Sequence, residues 1–328
     1  MSRVQLVVSE EAWPIAGRFV IARGAKTEAR VIVVHLHKDG HTGQAESVPY
    51  GRYGESPATV LAQIESVRDR IESGLDRATL QRLLPAGAAR NALDCALWDL
   101  EAKQNGIPAR QAAGLEALKP LTTAFTLSLD TPEAMGQQAA QAAFRPLLKL
   151  KIGGPDDLDR IEAVRRHAPH SRLIVDANEG LNLDSLRRIL PDCARLGVDL
   201  MEQPLPAAED AELEGFETPV PLCADESVHT RYELASIARR YQALNVKLDK
   251  SGGLTEALAL TRDARALGMT VMAGCMVGTS LAMAPAFLFA QYAQVIDLDG
   301  PLLLKQDRHP GLVYDGSVIF PPQATLWG

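Results

Sequence analysis

The chain has 328 residues, 46% hydrophobic and 23% charged, with a formal net charge of −7, the balance of a globular protein with a sizeable core. The mild acidic excess argues against nucleic acid as a partner, which needs a basic footprint, while leaving room for an anion in a local site. No apolar stretch approaches a membrane span, and MSRVQLVVSEEAWPIAG puts acidic residues where a signal peptide needs an apolar run, so a cytoplasmic protein with no membrane partner is expected.

The first part of the chain reads as α+β. Residues 29–37 (ARVIVVHLH) are rich in β-branched residues and predict a strand, with weaker strands at 4–8 and 43–47. Residues 57–73 and 88–104 have helical spacing; in the second, Ala89, Leu93, Ala96, Leu97 and Leu100 recur at three and four residues. Pro85 and Gly87 punctuate the chain between them. The loops around 17–25 and 48–56 have no conformation that the sequence specifies.

From about residue 121 short apolar runs alternate with helical segments. The runs are Thr123–Leu127, Leu147–Lys151, Leu173–Asp176, Leu200–Glu202, Leu222–Asp225, Leu244–Lys247, Thr270–Met272 and Val295–Leu298. A helix candidate follows each of the first seven. Eight strands with crossover helices predict a parallel sheet closed as a (β/α)8 TIM barrel. The steps from Lys149 to Asp176, Glu202, Asp225 and Lys247 are 27, 26, 23 and 22 residues, each long enough for one strand, turn and helix. After residue 301 the pattern stops, and Val313–Trp327 is expected to return to the N-terminal part. The expected division is an α+β capping domain over 1–118 with the tail 302–328, and a barrel over 119–301.

Charged residues end the runs. Strand two ends in Lys149-Leu150-Lys151, strand three in Asp176, strand four in Glu202, strand five in Asp225, strand six in Lys247, and strand eight carries Asp297-Leu298-Asp299. The C-terminal strand ends of such a barrel surround the active site. One Asp after a strand is usually a helix cap and one Lys a surface charge. Three acids on consecutive strands, flanked by lysines on strands two and six, are an improbable accident. Carboxylate oxygens suit Mg²⁺. The four cysteines, Cys95, Cys193, Cys223 and Cys275, are scattered with no CxxC spacing, and no histidine ends one of these eight runs; reduced thiols are expected rather than disulfides or zinc. A lysine beside a cation and other lysines has its charged form disfavoured, so depressed lysine pKa values are expected. Strands two and six lie half a circle apart. Lys151 and Lys247 would then face each other across the mouth, one base on each face of a carbon, which is the arrangement of a racemase or epimerase; the metal would stabilise the enediolate.

The motifs KLK (149–151), VDAN (175–178), MEQP (201–204), ADES (224–227) and NVKLDKSGG (245–253) resemble those of the enolase superfamily, within it the muconate-lactonizing subgroup. The resemblance covers essentially the whole chain and implies an enolase-like, modified barrel with a capping domain. The acidic pair at strand eight is similar to that of the L-Ala-D/L-Glu epimerases, as are FVIARG (19–24), YGRYGES (50–56), PAGAARNALDCALWDLEAK (85–103) and GGLTEALAL (252–260). That family implies a small dipeptide substrate, epimerised with Mg²⁺ at the α-carbon of its C-terminal residue, as in murein peptide recycling. By the same resemblance Lys151 and Lys247 match the acid/base lysines, and Asp176, Glu202 and Asp225 the metal ligands. Lys149 matches a holder of the substrate carboxylate, and Asp297 and Asp299 the ammonium-binding pair. Thr126 and Cys275 match substrate contacts, and Arg23 the partner of a glutamate side chain. Lys250 falls three residues beyond Lys247 and reads as its loop neighbour. N-acylamino acid racemases, o-succinylbenzoate synthases and cycloisomerases share the scaffold; a one-base lyase would not need the acidic pair, and a non-catalytic binding protein would not need the full set of acids and lysines. Scaffolds of this kind often assemble as symmetric oligomers, which leaves a homo-oligomer open.

Overall fold

In a computed structural model, residues 3–21, 24–154 and 157–328 are described. The N-terminal sheet is antiparallel in the order β1 (Gln5–Ile21), β2 (Gly24–Lys38), β3 (His41–Ser47). Asp39-Gly40, both at positive φ, turns β2 into β3, the chemistry a two-residue hairpin requires. β1 extends well past the predicted strand at 4–8. It is an edge strand, so Glu10 and Glu11 cost little there and Pro14 removes no ladder bond; the register shifts between Pro14 and Phe19. Most of the expected loop at 17–25 is therefore the end of a long hairpin.

The predicted helix at 57–73 breaks at Val67 into α1 (Pro57–Ser66) and α2 (Arg68–Glu72), and the sequence reading missed the short α3 (Arg77–Leu83). The helix expected at 88–104 is α4 (Ala88–Asn105), which packs on β3 so closely that a Cβ on Gly43 would stand 2.3 Å from the Ala96 carbonyl oxygen. Buried Arg90 donates to the carbonyls of Ser251 and Gly252 at 2.6 and 3.1 Å, fastening α4 to the barrel. Beyond the short α5 (Ala109–Ala112), β4 (Leu121–Thr122) forms a small sheet with two strands of the tail.

The barrel strands are β5 (Phe125–Leu127), β6 (Leu147–Lys151), β7 (Arg172–Asp176), β8 (Val198–Glu202), β9 (Leu222–Ala224), β10 (Ala243–Val246), β11 (Thr270–Gly274) and β12 (Val295–Asp297). They pair in parallel and in sequence order. The ends of that sheet meet where the Ala124 N–H donates to the Ile296 carbonyl at 2.8 Å and the Leu298 N–H to Thr123 Oγ1 at 2.9 Å. The outer helices are α6 (Pro132–Ala142), α7 (Leu158–His167), α8 (Leu183–Arg195), α9 (Leu234–Ile237), α10 (Leu248–Ser251), α11 (Leu254–Ala266) and α12 (Ser280–Ala290). The helix expected after the fourth barrel strand is absent: β8 is followed by a 3-10 turn at Asp210–Leu213. Pro204, Pro206, Pro219, Pro221 and Gly215 crowd that segment and deny it helical hydrogen bonds.

The tail places β13 (Tyr314–Asp315) and β14 (Val318–Ile319) beside β4 and then reaches α4. There Trp327 Nε1 donates to the Cys95 carbonyl at 3.0 Å and the Gly328 N–H to Asp99 Oδ1 at 2.7 Å.

Candidate active site

Side chains two residues apart on a strand share a face, and the barrel interior is built of rings on that rule. Ala124, Leu147, Ile174, Leu200, Cys223, Ala243, Met272 and Val295, one from each strand or the residue before it, pack together as an apolar floor. Two residues further along lie Thr126, Lys149, Asp176, Glu202, Asp225, Asn245, Gly274 and Asp297. Gly274 belongs there because a Cβ would stand 2.3 Å from Asn245 Oδ1, the amide that donates through Nδ2 to Glu202 Oε1 at 2.8 Å.

The upper ring is mostly charged, and its side chains are buried. Lys149 Nζ, 2% exposed, stands 2.6 Å from Glu202 Oε2, 2.8 Å from Asp297 Oδ2 and 3.3 Å from Asp176 Oδ2. Lys151, the last residue of β6, donates to Asp176 Oδ2. Lys247, directly after β10, donates to Asp225 Oδ2 at 2.6 Å and lies 3.9 Å from Glu202 Oε1. Lys250 is buried away from the cavity. It sits 2.6 Å from Asp225 Oδ1 and donates to the carbonyls of Val228 and Asn245 at 3.0 and 2.9 Å.

Burial alone would push every carboxyl here up, and pairing decides where it does not. The ammonium groups of Lys151 and Lys149 outweigh burial at Asp176 and hold it at about 2, and Lys247 and Lys250 hold Asp225 well below the carboxylate range. At Glu202 burial wins, with Asp176 adding repulsion, and its pKa rises to about 7. Asp299 rises to about 7 for the same two reasons, burial and then its neighbour Asp297. At Lys247 burial lowers the pKa, but Asp225 and Glu202 outweigh that and, with no cation beside them, hold its ammonium well above lysine's ordinary range. Carboxylates rather than fellow lysines surround it.

A cavity of about 640 Å³ opens above these groups. Thr126, Lys149, Lys151, Asp225, Lys247, Cys275, Asp297 and Asp299 all line it. Asp176 and Glu202 lie beneath, fully buried. Strand eight was expected to carry both Asp297 and Asp299, and it carries only the first. β12 stops at Asp297, and Asp299 has φ −92° and ψ 2°, outside the extended region; it reaches the cavity from the start of the following turn, where the Thr126 N–H donates to its Oδ2 at 2.6 Å. The Cys275 thiol, pushed well up by burial and then by Asp297 and Asp299, stays neutral. Arg23 lies outside the described residues.

Lys26, Tyr50, Arg52 and Asn178 are among the lining residues that the sequence left without a role. Lys26 Nζ lies 5.2 Å from the Tyr50 ring centroid, and Arg52 forms a two-pronged pair with Glu179 at 2.7 Å on each arm, joining the cap to the loop after β7. The stretch YGRYGES and the motif VDAN held three of these positions, but nothing local marks which side chain turns inward. Asn245 was findable, since strand alternation puts it beneath Lys247.

The chemistry of the donor set fits a hard divalent cation. Asp176, Glu202 and Asp225 are buried oxygen donors on successive strand ends. Glu202 Oε2 and Asp225 Oδ1 are buried without a directed hydrogen bond, answered by ammonium contacts alone. As they stand, lysines separate these carboxylates, and among the described residues no three acidic, histidine or cysteine side chains are gathered to hold a metal. Among the described residues no helix is long and apolar enough to cross a membrane.

Comparison with known proteins agrees with this picture. The family described as Mandelate racemase / muconate lactonizing enzyme, N-terminal domain matches residues 3–114, and that described as Enolase C-terminal domain-like matches residues 133–323. The L-Ala-D/L-Glu epimerase of Escherichia coli (strain K12) is 48% identical over 309 residues, 94% of this chain and 96% of that one. The N-acetyl-D-glutamate racemase of a Pseudoalteromonas species is 46% identical over 300 residues, 91% of this chain and 95% of that one. A crystal structure of an enolase family member from Agrobacterium tumefaciens with homology to dipeptide epimerases, bearing bound sodium and L-Ala-L-Glu, superposes with a TM-score of 0.98 at 51% identity, covering 99% of this chain and 100% of that one.

Proposed function

The chain belongs to the mandelate racemase / muconate lactonizing enzyme family of the enolase superfamily, and from that premise we propose that it is a Mg²⁺-dependent epimerase of dipeptides of the L-Ala-L-Glu / L-Ala-D-Glu type. One observation carries the reading: Lys151 and Lys247, on the second and sixth of eight barrel strands, open into one cavity with the carboxylate ring between them. Each lysine takes or returns a proton at one face of the α-carbon of the C-terminal residue. Asp297 and Asp299 take the ammonium of the first residue; Asp299, pushed up to about 7 by burial and by Asp297, marks a place short of positive charge. Lys149 stays charged among its three carboxylates and offers its ammonium on the cavity floor toward the substrate carboxylate. Thr126, Cys275 and Arg23 complete the substrate contacts.

Asp176, Glu202 and Asp225 are the residues that hold the cation. A Mg²⁺ bound there would supply Lewis acidity toward the substrate carboxylate, and its charge would favour the neutral form of the nearby lysines. Four free cysteines accord with residence in the cytoplasm. The capping domain is taken as 1–118 with 302–328, and the catalytic barrel as 119–301.

The test is incubation of a dipeptide library with the protein and Mg²⁺ in D₂O, read by mass and by chiral separation. Deuterium at the second α-carbon together with appearance of the other epimer is expected. Exchange without epimerisation, or turnover of N-acyl amino acids in preference to free dipeptides, would displace the reading toward a lyase or an N-acylamino acid racemase.

A further inference from the structure

We propose that Gln203 is a positioning residue that sets the spacing of Asp176, Glu202 and Asp225 and thereby the affinity of the cation site, an inference that rests on the three-carboxylate site proposed above. Gln203 follows Glu202 in the chain and is fully buried. Its φ of 35° is left-handed, a conformation a side chain other than glycine's keeps only where its surroundings impose it.

Those surroundings are the strand ends on either side. The Gln203 N–H donates to the Cys223 carbonyl at 2.8 Å, and its carbonyl accepts from the Glu179 N–H at 2.8 Å. Its side-chain Oε1 accepts from the backbone N–H groups of Asp225 at 2.8 Å and Ser227 at 3.2 Å. Both partners are donors, so this atom is the amide oxygen rather than the nitrogen. Nε2 donates toward the Leu205 carbonyl, Ser227 Oγ and the Tyr241 hydroxyl at 2.9, 2.8 and 3.0 Å. The Tyr241 hydroxyl in turn donates to Asp210, itself paired with Arg240.

One residue therefore touches all three carboxylate-bearing segments. It is bonded in sequence to Glu202, holds the backbone of Asp225 through its amide oxygen, and holds the turn that follows Asp176 through its carbonyl. That turn carries Asn178 and Glu179 at φ 44° and 67°, and the Asn178 N–H donates to Asp176 Oδ1 at 2.9 Å. A neutral amide does this without adding charge to a ring already rich in carboxylates. It also locks its own orientation, because each of its atoms has a partner.

The experiment measures Mn²⁺ binding to the full chain by electron paramagnetic resonance, alongside dipeptide kinetics. Gln203→Met keeps the length and removes the acceptor; it is expected to weaken Mn²⁺ binding about tenfold or more, as loss of outer support does at metal sites. Its kcat at saturating metal should fall while the dipeptide KM stays within about threefold. Gln203→Met binding Mn²⁺ within about twofold of the parent overturns the inference. Should Gln203→Met not fold, Tyr241→Phe decides: removing the hydroxyl that orients the amide weakens Mn²⁺ binding if the inference holds and leaves it unchanged if not. A parent protein that binds no Mn²⁺ overturns the cation site itself, which is a separate failure.

Discussion

The apolar floor and the charged ring are made by the same eight strands on the same inner face, separated by two residues or about 7 Å of rise. In the floor, Leu147, Ile174, Leu200 and Met272 are stabilised by leaving water and by contact with one another, and no partner has to be in a particular place. In the ring above, every group loses its hydration and is restored only by a specific neighbour. Asp176 has two lysines and titrates at about 2; Glu202 has an ammonium contact yet is driven to about 7 by burial and by Asp176. The floor therefore carries stability and the ring carries reactivity, and positive charge runs short at two points, Glu202 in the ring and Asp299 in the turn beside it. Those are the points where a divalent cation and a substrate ammonium are proposed to bind.

Substitutions should divide along the same line. The largest effect belongs to the ring's outer lysines: Lys247→Ala and Lys151→Ala should each lower epimerisation by about 10²–10⁴-fold with folding intact. Proton NMR in D₂O should show each variant still exchanging the α-proton of one epimer, and a different epimer for each. If one lysine proves essential for exchange of both epimers and the other dispensable, the two-base mechanism fails.

In the floor, Leu147→Ala should cost about 2–5 kcal/mol of stability by denaturant unfolding, through lost burial and a cavity. Its kcat per folded molecule should stay near the parent's. A large loss of kcat in folded Leu147→Ala would show that the two rings are not separable.

Asp297→Asn and Asp299→Asn should each cost about 1.5–3 kcal/mol in kcat/KM, the worth of one hydrogen bond to a charged group. N-acetylation of the dipeptide should cost a similar amount. A variant that loses activity on free and acetylated dipeptides equally would sever the pair from ammonium binding.

The smallest effect is on pH dependence. Glu202 and Asp299 titrate at about 7 in the folded protein, raised from 4.5 and 3.8. The folded state thus binds more protons than the unfolded chain through that window, and these two groups make stability fall as pH rises from about 4 to 7. Thermal unfolding of the EDTA-treated protein should show this slope, and Asp299→Asn should flatten it. An unchanged slope in Asp299→Asn would mean that its burial is relieved in some other way.

Much of this protein was written locally. Runs such as LLKLK and RLIVD end in charge, which predicted both where the barrel strands stop and which side chains meet at the mouth; alternation along a strand then assigns floor and ring without any tertiary knowledge. The N-terminal edge strand was less legible, because its Pro14 and its charges are signals against a strand everywhere except at a sheet edge, and edge position is a property of the assembled sheet. The prolines after β8 speak against the helix expected there, and the structure has a 3-10 turn in its place. Only the tertiary structure decided that Lys149 lies among Asp176, Glu202 and Asp297, that Lys247 stands against Asp225, and that the Gln203 amide reaches the backbone of Asp225. Lys149 and Asp297 are 148 residues apart. A contact across that distance leaves no periodicity in the chain, and a pKa is a sum over neighbours that folding alone brings together.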